Sequence, residues 1–136
     1  MGMISYSQPT RLDFDFKQWN STESLKKAIL SATYQDGDGT YTQNAMNLAS
    51  DQFESVSSGS RIGTEHVTKV CVILTDGASG VALPIIAAAA NRLKQLDVNV
   101  FTIGLGAQFK PTELQEIASE PVDAHFFKTV QVGCCK

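Results

Sequence analysis

The residue types that could do chemistry are few, and most stand at the wrong spacing. His66 and His125 are isolated, without cysteine or histidine neighbours at ligand spacing, which argues against zinc. Ser79, His66 and Asp76 include the types of a hydrolytic triad, but no Gly-x-Ser-x-Gly elbow would expose the serine. Gly104-Leu105-Gly106 lacks the third glycine of a dinucleotide loop and follows the wrong strand. Asp36-Gly37-Asp38-Gly39 opens like a calcium loop, then lacks the glycine and glutamate that such a loop needs further on, and reads as a solvated turn. No acid–base pair, nucleophile or cofactor loop is left, so the sequence predicts a protein that is not an enzyme.

Bulk properties narrow the remaining classes. The 136 residues fit one domain, and 43% hydrophobic against 18% charged residues is globular composition. A net charge of −3 and a pI near 5.2 lack the basic footprint of a nucleic-acid binder. The longest apolar run, Val81 to Ala90, falls short of the ~20 residues that span a bilayer. Met1 to Tyr6 has no signal-peptide pattern, and Tyr6 stands where a myristoylation motif wants serine or threonine. The chain is already strand-like at Met3, which predicts a domain incomplete at its N-terminus. Cys71, inside Val70–Leu74, reads as a buried small hydrophobe. Cys134 and Cys135 are adjacent; neighbours rarely pair with each other, so both are disulfide candidates for cysteines elsewhere. Asn20-Ser21-Thr22 is a glycosylation acceptor pattern, a slight pointer to an extracellular setting.

Elements follow from periodicity. Met3 to Tyr6 is a short strand, broken by Gln8-Pro9-Thr10. Arg11 to Phe16 alternates, with Leu12, Phe14 and Phe16 on one face, and should pair with it as a hairpin. Ser21 or Thr22 can cap a helix carrying Leu25, Ala28, Ile29 and Ala32. Thr42 to Phe53 is a second helix, and Ser55 to Gly63 a polar loop. Val70 to Leu74 is a continuous apolar run, the habit of a strand buried on both faces of a parallel sheet. A helix from about Val81 to Leu96 tolerates Pro84 in its first turn. Val98 to Ile103, Pro111 to Ala118 and His125 to Val130 complete the order β-β-α-α-β-α-β-α-β, whose second half implies right-handed crossovers.

Five segments in that order resemble the von Willebrand factor type A family, in its matrilin- or collagen VI-like extracellular form. They are Gly2 to Ser7, Gly39-Thr-Tyr-Thr-Gln-Asn-Ala-Met46, Val70 to Gly77 with the alanine-rich helix after it, Val98 to Gly106, and Glu113 to Pro121. The resemblance implies an α/β, Rossmann-like doubly wound fold: a mostly parallel sheet with one antiparallel edge strand, helices on both faces, and the central first strand missing, as well as the last helix. It implies a metal-ion-dependent adhesion site, for which Thr40 matches the family's threonine and Asp76 its aspartate, with Ser79 in reach of Asp76. The family's Asp-x-Ser-x-Ser loop is absent, and Gln43 replaces a usual glycine. Mg²⁺, or Mn²⁺ or Ca²⁺, is the implied cation, held by hard oxygen ligands. Read by themselves, Asp76 is also a strand-to-loop Asp-Gly turn and Thr40 a helix-capping hydroxyl, with Thr42 the more natural cap.

Three functions follow as expectations. One is a secreted adhesion module that binds a collagen or other matrix protein through a divalent cation. Another is a structural or assembly module without a working metal site, held through surface contacts and the Cys134–Cys135 pair. A third is an intracellular scaffold.

Overall fold

The computed structural model describes residues 1–33, 37 and 39–129. The Asp36–Asp38 turn (Asp36 and Asp38), Val130 and the Cys134–Cys135 pair lie outside the described residues. In chain order the elements are β1 (Met3–Ser5), β2 (Arg11–Phe14), α1 (Thr22–Leu30), α2 (Thr42–Glu54), a 3-10 turn (Val56–Ser58), β3 (Lys69–Thr75), α3 (Leu83–Gln95), β4 (Val98–Leu105), α4 (Pro111–Ile117), the one-turn α5 (Val122–His125) and β5 (Phe126–Thr129).

The strands form two separate sheets. β1 and β2 make the expected antiparallel hairpin, with Ile4 opposite Leu12 and Ser5 opposite Arg11. β3, β4 and β5 form a parallel sheet in that order, Ile73 lying opposite Thr102 and Thr102 opposite Phe126. Between the two sheets, Tyr6 Oη donates to the Leu74 carbonyl at 2.8 Å. The split falls where the absent central strand was expected.

α2, α3 and α4 cover one face of the parallel sheet. On α3, Ile86, Ala89, Ala90 and Leu93 recur at helical spacing and are 0–5% exposed. The two alanines let the helix approach the strands closely. Met46 and Phe53, one seven-residue step apart on α2, meet Ile73, Val98 and Val100 in the same core. Along β4 the even-numbered Val98, Val100 and Thr102 are buried while Asn99 is exposed, the period-2 alternation of a strand with one covered face. α1 stands apart. Ser21 is its N-cap, accepting from Ser24 N–H at 3.2 Å, yet the helix buries none of its residues and Leu30 is 86% exposed.

Two expectations need correction. The Val70–Leu74 run is not buried on both faces. Ile73 packs on the helices, but Val70, Val72 and Leu74 are each about half exposed; on their side of the sheet the one-turn α5 reaches only Phe101, through His125. Nor does Thr42 cap α2: Tyr41 holds the N-cap position without a side-chain bond, and Thr42 is the first helical residue, fully buried.

The asymmetry between covered and bare faces gives a direct test. Leu93→Ala should cost ~2–5 kcal/mol, the usual range for emptying a packed leucine site. Leu30→Ala should change stability by less than about 0.5 kcal/mol, as for an ordinary surface position. Urea denaturation followed by circular dichroism measures both.

Candidate functional site

The polar residues gather beyond the carboxyl ends of the parallel strands, where open α/β sheets hold their ligands. β3 stops because Thr75 turns the chain. Its Oγ1 donates to the Gly77 carbonyl at 3.1 Å and accepts from Gly77 N–H at 3.3 Å. Asp76 is thereby held in an exposed position at the strand end. Thr40, just ahead of α2, is joined to the same loop by a parallel bridge to Ser79. A Cβ on Gly77 would lie 2.8 Å from Thr40 Oγ1, so the close approach of the two segments requires glycine there. The structure therefore places Thr40 against Gly77 and Ser79, in the loop that Asp76 opens.

What holds this loop was not legible beforehand. Glu113, in the first turn of α4, is 5% exposed, and both its oxygens accept from the Ser79 amide, at 3.1 and 3.2 Å. The Ser79 hydroxyl, expected near Asp76, points instead to Gln43 Oε1 at 3.4 Å. Gln43, also buried, thus uses the room that a glycine would leave to reach across to the loop. α4 is itself tied to the sheet by Thr102 Oγ1, which donates to the Leu114 carbonyl at 3.0 Å. One signal for Glu113 was present in the sequence: an acid four residues ahead of Ile117, on the buried face of a short helix.

Tyr6 closes the other side. Burial pushes its phenol up to about 12; the neighbouring Thr75 hydroxyl opposes that rise, while the charges of Asp76 and Glu113 add to it. The Thr42 hydroxyl lies beside the ring but, fully buried, makes no hydrogen bond of good geometry. Cys71 lies further down β3, partly buried against the core, and desolvation raises its thiol to about 11.

The donor set near Asp76 suits a hard divalent cation in kind: a carboxylate and a hydroxyl on adjoining segments. It is too small to hold one alone, since Mg²⁺ is six-coordinate and Glu113 is already occupied by the Ser79 amide. Among the described residues, no three of His, Cys, Asp and Glu come together. The histidines stay apart from the site. His66 is exposed, and His125 stacks 4.6 Å from Phe101 with Nδ1 3.0 Å from the Pro121 carbonyl. Asn20 is exposed immediately before the Ser21 cap, as a glycosylation acceptor must be.

A family model described as the von Willebrand factor type A domain matches residues 1–133. Matrilin-1 of Gallus gallus is 35% identical over 129 residues, which are 95% of this chain and 24% of matrilin-1. The transmembrane cell adhesion receptor mua-3 of Caenorhabditis elegans is 31% identical over 89% of this chain and 3% of its own length. Proximal thread matrix protein 1 from the mussel byssus, solved with a zinc-occupied MIDAS motif, superposes with a TM-score of 0.85 at 26% identity, over 96% of this chain and 32% of that one. The chain thus spans about a quarter of matrilin-1.

Two measurements probe the site. Glu113→Ala should cost ~1–3 kcal/mol, the usual penalty for leaving a buried amide unpaired, and should speed hydrogen exchange at Ser79. Glu113→Gln should fall between it and the parent, because an amide oxygen still accepts. For Tyr6 the folded pKa of about 12 lies above the ordinary 10.0, so the folded chain holds this proton more tightly. Its contribution to stability is intact below pH 10 and declines as pH rises toward 12. Tyr6→Phe should remove that part of the alkaline loss in pH-dependent melts.

Proposed function

The chain belongs to the von Willebrand factor type A family, and from that membership we propose that residues 1–136 act as one protein-binding module of an extracellular matrix or cell-surface protein, not as an enzyme. The observation that carries this reading is the approach of Thr40 to the loop that follows Asp76, at the open end of the parallel sheet. Matrilin-1 and the mussel thread protein support the matrix setting. The docked ligand would be an extracellular protein such as a collagen, approaching the exposed carboxylate of Asp76.

Thr40 and Asp76 would contribute a hydroxyl and a carboxylate to a divalent cation, Mg²⁺ or a similar ion, with water, further protein ligands or a partner's acid completing it. Such an ion supplies a fixed positive charge for a partner's carboxylate. The chain's own part is to aim two oxygens: Thr75 sets the turn, and Glu113 and Gln43 hold Ser79 so that the loop cannot swing away from Thr40. The exposed Asn20-Ser21-Thr22 would carry a glycan outside the cell, and Cys134 and Cys135 would pair with cysteines elsewhere in the parent protein.

One observation favours a second reading, an assembly module without a cation. Only one free carboxylate, Asp76, belongs to the cluster among the described residues. No described helix is long and apolar enough to cross a membrane, which is neutral between the two readings.

Binding to immobilised collagens and to matrix extracts separates them. Under the cation reading, a chelator and Asp76→Ala each weaken capture at least tenfold, and Thr40→Ala weakens it to a lesser degree. Capture that is indifferent to chelator and to both substitutions supports the assembly module. Calorimetry with Mg²⁺ alone on the parent and Asp76→Ala chains measures the resident affinity.

A further inference from the structure

A cavity of about 540 Å³ lies between β2 and α1, within the ~300–1,000 Å³ typical of small-ligand sites. Every residue lining it falls between Arg11 and Thr33, so one short stretch of chain builds it. β2 contributes Arg11, Asp13 and Phe14, and the half-buried Trp19 stands in the wall. Ser24 and Lys27, three residues apart and so on one face of α1, line the opposite side. Phe14 and Trp19 meet edge to face, with ring centroids 6.4 Å apart at 84°. Phe14 is buried, so this contact anchors the indole to the hairpin.

The polar groups of the cavity are unequally engaged. Arg11 donates to Asp13 Oδ1 from Nε at 2.9 Å and from Nη2 at 2.6 Å, and the Ser5 hydroxyl donates to the other Asp13 oxygen. The charges of Arg11 and Asp13 cancel, yet the pair still presents N–H groups and carboxylate oxygens side by side. Lys27 is different. Its ion pair is to Glu23 at 3.9 Å, with both side chains 76% exposed, and such a pair holds an ammonium only weakly. One cation is therefore left for a ligand, in a chain whose net charge is −3. A flat indole, a row of donors and acceptors and one spare positive charge suit a pyranose bearing an acid. Its C–H face would lie on the indole, whose ring face is electron-rich. Its hydroxyls would meet the Arg11–Asp13 pair, and its acid Lys27. An aliphatic ligand would strip water from the Arg11–Asp13 pair and replace none of its hydrogen bonds. A bare anion would leave the indole unused.

We propose that the cavity between β2 and α1 binds an acidic sugar, a pyranose carrying a carboxylate or a sulfate, stacked on Trp19 with its negative group at Lys27. It shares no residue with the Asp76 loop and does not depend on the cation reading.

Trp19 is the only tryptophan of the chain, so its fluorescence reports on this cavity directly. The test titrates the full 136-residue chain with three tetrasaccharides: hyaluronan, which carries carboxylates; chondroitin sulfate, which adds sulfates; and neutral chitotetraose. A saturable change in emission is expected with at least one acidic sugar, and the tighter of the two identifies the anionic group that Lys27 prefers. Chitotetraose should bind at least tenfold more weakly, an arm that needs no protein variant. Lys27→Gln, at an exposed position, should fold, weaken acidic-sugar binding at least fivefold and flatten its salt dependence. A chelator should change nothing. Absence of a saturable change overturns the proposal. So does equal binding of chitotetraose, or acidic-sugar binding that Lys27→Gln leaves intact. Inorganic sulfate or acetate that binds as tightly as the sugars reduces the cavity to an adventitious anion site and also overturns it.

Discussion

Seven residues of β3 lie in parallel register with seven of β4, and that ladder fixes where everything else can go. A parallel pair needs a crossover, and α3 supplies it, lying on the sheet through Ile86, Ala89, Ala90 and Leu93. Once β3 is placed, its last residue Thr75 sets the position of the turn, and the turn presents Asp76. The same ladder consumes one edge of β3 only. The polar end is a consequence of this single pairing, at the strand terminus.

The polar end is stabilised from below rather than by its own surface. Glu113 is a buried acid without a cationic partner among the described residues, and it serves one amide, that of Ser79. Such an arrangement is costly unless the hydrogen bond is kept, because a buried polar group without a partner loses its hydration for nothing. The link therefore couples the position of α4 to the geometry of the Asp76 loop. Gln43 adds a second strut from α2, so three helices converge on one short turn: α2 through Gln43, α4 through Glu113, and α3 by continuing from it.

Under the proposed function, membership of the type A family and the geometry of this end point to the same place for a ligand. They differ in how much chemistry is available there. The family pattern places several oxygen ligands around a cation, whereas Thr40 and Asp76 offer two. The family's Asp-x-Ser-x-Ser loop, which would carry the other ligands, is not among these 136 residues.

The order and type of the elements were legible in the sequence. Apolar residues at helical spacing marked α2 and α3, alternation marked β2, and a continuous β-branched run marked β3 and β4. Thr40 and Asp76 were singled out through their resemblance to a family pattern, and their role as ligands belongs to the proposal. Only the tertiary structure decided that Val70, Val72 and Leu74 lie bare. A run of apolar residues records that a strand can be covered on both faces, but not whether a layer is present to cover it. Tertiary structure also decided the roles of Glu113, Gln43 and Tyr6. Their partners lie 34, 36 and 68 residues away in sequence, and no local periodicity encodes a hydrogen bond that closes only when distant segments pack.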